Sequence, residues 1–110
     1  MKLYGIKNCN SVKKAMDALN EKNLAFDFLD IKKIDKAILS AWLEKRSFQD
    51  LINTAGLTAK KLKLNKEKIQ ALSHDELEKL VLQNPSCIKR PIINHEGKIY
   101  IGKEYSMILQ

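Results

Sequence analysis

The sequence predicts an α/β fold built on a mixed four-stranded sheet, and three stretches carry that expectation. Between Leu3 and Asp30 a strand, a helix and a second strand follow one another. From Pro91 to Ile101 two short apolar runs flank Glu96-Gly97, a hairpin signal. From Ile31 to roughly Asn84 only helical periodicity is present.

The first strand is read from Leu3, Tyr4 and Ile6, with Gly5 inside it suggesting a close backbone approach. The period then changes. Val12, Ala15, Met16 and Leu19 fall at i, i+3, i+4 and i+7, one face of a helix, with Asn10 and Ser11 as N-cap candidates. After a polar turn at Asn20–Asn23, Leu24–Asp30 alternates as a second strand, with Phe26 and Phe28 on one face. A βαβ unit of this length implies parallel strands.

In the middle section Ile34, Ile38, Ala41 and Trp42 mark one helical face. Phe48, Leu51, Ile52 and Ala55 mark another, closed by Gly56. Asn65 caps a short helix carrying Ile69 and Leu72. Ser73-His74-Asp75-Glu76 is a capping box opening a helix with Leu77, Leu80 and Val81 inward, stopped by Asn84-Pro85. The lysines at 60, 61, 63, 66 and 68 alternate with Leu62, Leu64 and Glu67, the pattern of a solvated face. Strands resume at Pro91–His95 and Lys98–Ile101. Gly102 ends the hairpin, and Glu104–Leu109 reads as a short helix with Tyr105, Ile108 and Leu109 inward.

Cys9 falls at the junction of the first strand and helix. Free N–H groups and the positive end of the helix dipole face that position, and Lys7 and Lys13 add charge. A thiolate is stabilised there where a thiol is not. The alternative is a small apolar side chain filling a gap; the helix start and the cations favour the reactive thiol. Arg90, just before Pro91, offers a planar charged fork suited to an oxyanion or carboxylate, and equally suits a surface ion pair. A proline opening a strand removes one ladder donor, and a cis bond turning the backbone toward a ligand is one reason for it.

The 110 residues suffice for one core and not for two domains. No apolar run approaches the roughly 20 residues of a membrane span, and the N-terminus enters a strand without a signal-peptide h-region. The expectation is a soluble cytoplasmic protein. Cys9 and Cys87 have no metal-ligand spacing, and His74 and His95 are isolated, so no metal site is expected. The net charge of +7 favours an anionic substrate or partner. Yet 18 of the 20 basic residues are lysine, where nucleic-acid readers lean on arginine and aromatic side chains, so nucleic-acid binding is not expected.

Tyr4-Gly5-Ile6-Lys7-Asn8-Cys9 with the following Val12-Lys13-Lys14-Ala15 helix, paired with the late Ile88-Lys89-Arg90-Pro91-Ile92-Ile93, resembles the ArsC/Spx family. This is the arsenate reductase-like branch of the thioredoxin superfamily, and the small YffB-type members are the most similar. The resemblance covers the whole chain. It implies a single domain over 1–110, with a thioredoxin-like core (βαβ plus ββα) at 1–30 and 86–110 and an all-helical insertion at 31–85. It implies a cis Pro91 beside the Cys9 loop, Cys9 as nucleophile, and Arg90 holding an oxyanion and lowering the thiol pKa. Asn8, Asn10, Ser11 and Pro91 are the expected substrate-binding residues, with Asn10 and Ser11 equally suited to plain capping.

Two departures from the family pattern bear on substrate. Arsenate reductases of this type surround the cysteine with three arginines. Two of those positions fall near Asn53 and Gly102 here, and Arg46 is the only other arginine, so a full triad is impossible. Lys60, Lys61 or Lys103 can supply charge but not bidentate geometry. Spx-type regulators carry Cys-x-x-Cys in this loop, and here the second position is Val12. The expectation is a one-cysteine thiol oxidoreductase acting on a small oxyanion or a glutathione disulfide. It binds no cofactor, uses glutathione as co-substrate and has glutaredoxin as a candidate partner. The alternative is an Spx-like regulator docking on a protein such as RNA polymerase. Cys87 is read as a buried bystander thiol, with pairing to Cys9 the open alternative.

Overall fold

The first strand, β1 (Lys2–Gly5), stops one residue short of Ile6. The reason is local: Ile6 turns its carbonyl to accept the Cys9 N–H at 3.3 Å. The helix α1 (Asn10–Glu21) follows. The computed structural model describes all of residues 1–110, and it corrects the expected cap. Asn10 and Ser11 are already helical, and Cys9 is the N-cap, because its carbonyl accepts the first helical bond, from Lys13 N–H at 3.0 Å.

At the other end of α1, Asn23 takes a left-handed φ of 58° and Leu24 N–H returns to the Leu19 carbonyl at 3.0 Å. Leu24 is therefore used in the helix exit, and β2 is only Asp27–Asp30. Phe26 and Phe28 still pack on one apolar cluster. β1 and β2 are parallel, with Leu3 opposite Phe28.

β3 (Ile92–His95) lies antiparallel to β1, with Tyr4 opposite Ile92, and β4 (Lys98–Ile101) is antiparallel to β3. The sheet order is β2-β1-β3-β4. Glu96 and Gly97 both take positive φ, 51° and 77°, as a two-residue hairpin turn with the strands' own twist requires. The C-terminal segment is a 3₁₀ helix, Gly102–Met107, rather than an α-helix from Glu104. It begins earlier because Gly102 bends the chain at φ 59° and Glu104 caps Ile101 N–H at 2.9 Å. Tyr105, Ile108 and Leu109 turn inward as expected.

Leu3, Val12, Ala15, Leu19 and Ile93 are fully buried and join sheet to helix. Each larger side chain among them stabilises the fold by about 1.5–3 kcal/mol. These elements, Met1–Ile31 with Arg90–Gln110, form one compact unit.

Lys32–Lys89 forms a second compact unit. In α2 (Lys36–Leu43), capped by Asp35 on Ile38 N–H at 2.9 Å, Leu39 and Trp42 are buried. Of the expected face Trp42 is buried, whereas Ile34 precedes the helix, Ile38 is half-buried, Ala41 is exposed and Leu39 takes the inward place. Ser47 and Asp50 make a capping box for the single turn α3 (Phe48–Leu51). Ile52 then leaves the helix to bridge Ile88, and Ala55 is exposed. Gly56 does not end this helix. It is the N-cap of α4 (Leu57–Lys61), an element the lysine-rich stretch concealed.

Asn65 caps α5 (Lys66–Ala71) through Lys68 N–H at 2.8 Å, and the Ser73–Glu76 box opens α6 (His74–Gln83), with Leu77 and Val81 buried. A 3₁₀ turn, Pro85–Cys87, follows. Asn53 N–H donates to the Cys87 carbonyl at 2.8 Å and Lys89 N–H to the Leu51 carbonyl at 2.7 Å. Those bonds hold Cys87 and Lys89 within the helical unit, which runs to Lys89, whereas the resemblance implies a core that resumes at residue 86. No helix is long and apolar enough to cross a membrane.

Candidate active site

Cys9 occupies the N-cap of α1 with extended backbone, φ −108° and ψ 122°. An N-cap side chain faces the N–H groups of the second and third helical residues, here Ser11 and Val12. Neither closes a capping hydrogen bond of ordinary geometry, yet both lie close enough to stabilise negative charge on the sulfur.

Burial is the largest influence on the half-buried Cys9 and pushes its thiol pKa up. The opposing contributions together outweigh it: the Val12 N–H, the Arg90 side chain as hydrogen-bond donor, the Ser11 N–H, and the Arg90 charge. The net pKa lies below that of an ordinary thiol. Lys7 and Lys13, expected to help, are exposed and do not figure among those influences.

Arg90 arrives through a cis Arg90–Pro91 peptide bond at the entrance to β3. Pro91 is buried, and its carbonyl accepts Gly102 N–H at 2.8 Å, which ties this segment to the end of β4. The Arg90 Nε is itself buried. The sheet thus brings Cys9 and Arg90 together from opposite ends of the chain.

Asn8, Asn10 and Ser11 are all exposed along the loop and first turn beside Cys9. Gly102 stands next to Pro91 with open space where a side chain would extend, so it contributes no cation there, and the adjacent Lys103 is exposed. Arg46 is engaged within the helical unit, its Nε 3.2 Å from Asp50 Oδ2. No group of three or more His, Cys, Asp or Glu side chains converges as metal ligands. His74 Nε2 lies 3.5 Å from Glu78 Oε2, and His95 Nε2 lies 3.8 Å from Glu96 Oε1.

Cys87 differs from Cys9 in every respect that governs reactivity. It is 1% exposed, and burial pushes its thiol up to about 11. Both cysteines are free thiols.

Sequence reasoning missed Val12 as a donor, since its apolar side chain marked it only as core. Placing the cap at Cys9 rather than at Asn10 or Ser11 would have pointed to its N–H.

The ArsC family model matches residues 4–110. The chain belongs to the ArsC family. Among solved structures it is similar to a YFFB protein, 35% identical, over 99% of this chain and 98% of that one, with a TM-score of 0.82. It is also similar to an arsenate reductase (ArsC) related protein from Brucella melitensis, 31% identical, over 92% and 84% of the two chains, with a TM-score of 0.75. The global transcriptional regulator Spx 2 of Bacillus anthracis is 30% identical, over 91% of this chain and 77% of that protein. The ArsC match and these neighbours give the β2-β1-β3-β4 sheet its place as a thioredoxin-like core accompanied by helices. Within this ArsC-family fold, Cys9 and Arg90 are the residues that the sheet brings together.

Proposed function

We propose that this ArsC-family chain is a one-cysteine, glutathione-dependent thiol oxidoreductase. The observation that carries the reading is the set of donors around Cys9. Two helix N–H groups and the Arg90 guanidinium hold the thiol pKa down against burial. Membership of the ArsC family supports thiol-dependent redox chemistry in general.

With a glutathione mixed disulfide, Cys9 Sγ attacks one sulfur. An S–S bond forms between Cys9 and glutathione, and the other thiolate leaves. A second thiol, glutathione or a glutaredoxin, then attacks the glutathionyl sulfur. Cys9 departs as the stabilised thiolate, and a new disulfide carries the oxidation away. With an oxyanion, Cys9 Sγ bonds to the central atom and one oxygen, protonated from solvent, leaves as water to give a covalent adduct. One external thiol then attacks Cys9 Sγ, delivering two electrons to the oxyanion and leaving a Cys9 mixed disulfide, which a second thiol resolves. In both routes the Arg90 fork and the helix N-terminus stabilise charge as it develops or returns.

Cys87 takes no part in this scheme, because its raised pKa keeps it protonated near neutrality. We assign to substrate binding the exposed Asn8, Asn10 and Ser11 beside Cys9 in the chain, and Pro91 next to Arg90. Arsenate is a poor candidate substrate: the chain holds two arginines in all, and Arg46 is paired with Asp50.

The test is turnover of a glutathione mixed disulfide by Cys9→Ser. Loss of activity is expected. Full activity in that variant would overturn the mechanism.

The identity with Spx 2 favours a second reading, a regulator that docks on a protein such as RNA polymerase. Val12 in place of a second cysteine leaves docking without a local disulfide switch. Capture of polymerase subunits by a protein inert in thiol transfer would support this reading over the first.

A further inference from the structure

Gly5 ends β1 and is buried. A Cβ built on it would stand 2.8 Å from both Val12 methyl carbons and 3.4 Å from Val12 Cβ. Real Cβ contacts are essentially never that short, so any side chain at Gly5 forces something to move. Val12 cannot yield by itself. Its branched side chain is stiff at χ1 in a helix, both methyls face Gly5, and it is fully buried in the core. The displacement must pass to the start of α1.

That displacement matters because of what meets at this point. Tyr4 pairs with Ile92, so Gly5 continues β1 beside the entrance of β3, where Arg90 and Pro91 enter. Cys9 is tied to the strand side by its N–H on the Ile6 carbonyl at 3.3 Å, and to the helix side by its carbonyl on Lys13 N–H at 3.0 Å. The sulfur's stabilising groups come from both sides: Ser11 and Val12 from the helix, Arg90 from the sheet.

We propose that Gly5 is a positioning residue whose missing side chain sets the gap between the start of α1 and the sheet, so that Val12 N–H and the Arg90 guanidinium converge on Cys9 Sγ. The inference rests on the functional reading of Cys9 given above. It goes beyond that reading by assigning a role to a residue with no polar side-chain atom.

The experiment uses the full chain and follows iodoacetamide labelling of Cys9 against pH by mass spectrometry, which reports the thiolate without any turnover. Gly5→Ala is expected to move the labelling midpoint to higher pH and to slow labelling at pH 7 by about tenfold. Gly5→Ala combined with Val12→Ala removes both methyls from the contact and is expected to restore the wild-type midpoint. The double variant also serves where Gly5→Ala alone does not fold. A wild-type midpoint in folded Gly5→Ala, or a raised midpoint in the double variant, would overturn the positioning role. A wild-type protein that labels like an ordinary thiol would overturn both this inference and the functional reading. A restored midpoint with no glutathione transfer would sink only the functional reading and leave the role of Gly5 standing.

Discussion

The Arg90 guanidinium stabilises the Cys9 thiolate both as a hydrogen-bond donor and as a positive charge. The two residues are neighbours because β1 and β3 pair antiparallel, which sets the start of one strand's loop against the entrance of the other. Neither side chain has that chemistry alone. A cysteine at a helix start is common, and an arginine before a proline is compatible with an ordinary ion pair. Their juxtaposition makes an anion-stabilising thiol site.

Removal of the fork is expected to weaken that site without dismantling the fold. Arg90→Ala should lower kcat/KM for glutathione transfer by about tenfold at pH 6, the size of one charge-assisted hydrogen bond. The deficit should narrow by pH 9, where thiolate forms unaided. Arg90→Lys should recover part of the loss, since charge returns without the planar fork. A deficit equal at both pH values would contradict this.

The buried Cys87 implies an alkaline weakness. Its folded pKa, about 11, is raised above the unfolded value of about 8.5. The contribution to stability is therefore full below about pH 8.5 and is lost as pH rises toward 11. Wild-type stability should fall over that window, by up to roughly 2–3 kcal/mol from this group. In Cys87→Ala, less stable at neutrality, that part of the slope should vanish. Urea melts at pH 7.5 and 10 in both proteins measure it, and parallel losses would refute it.

Capping of α3 predicts an acid-sensitive effect of opposite sign. The Ser47 N–H donates to Asp50 Oδ2 at 3.2 Å and, against a lesser cost of burial and with help from Arg46, holds the carboxyl below its usual range. A depressed pKa stabilises above the unfolded value of about 3.9 and is lost as pH falls through the folded pKa. Asp50→Asn should cost about 0.5–1 kcal/mol at pH 7, a modest figure because solvent screens this half-exposed side chain. The difference from wild type should shrink at pH 3. Thermal melts at the two pH values decide it, an unchanged difference being the contrary result.

Much of this was legible beforehand, for definable reasons. Strand-to-helix period changes depend on side chains that must face one core, so β1, α1 and β3 could be read from Leu3, Val12, Ala15, Leu19 and Ile93. The capping box at Ser73 and Glu76 was legible because both partners are local in sequence. The cap of α1 was displaced by one residue or more, since Asn10 and Ser11 are better intrinsic caps than cysteine, and only the carbonyl bond to Lys13 decides. Gly56 was misassigned because glycine serves at either end of a helix, and α4 beyond it buries only Ala59 to announce itself. The pairing of Ile52 with Ile88 joins residues far apart in sequence and leaves no periodic trace.

A core substitution distant from the thiol separates stability from chemistry. Leu19 is fully buried near the C-terminal end of α1, away from Cys9 at its start. Leu19→Ala should destabilise by about 2–5 kcal/mol, a large share of a small domain's stability. The pH midpoint of Cys9 labelling in the folded protein should stay put. A shifted midpoint would show that the site depends on packing along the whole helix.

The most direct measurement is the pH dependence of single-turnover reaction with glutathione disulfide, with the site of the adduct read by mass spectrometry. The expected result is one glutathione on Cys9 and none on Cys87, with a rate midpoint below that of an ordinary thiol that moves up in Arg90→Ala. A midpoint like that of free cysteine, indifferent to Arg90, would contradict the account.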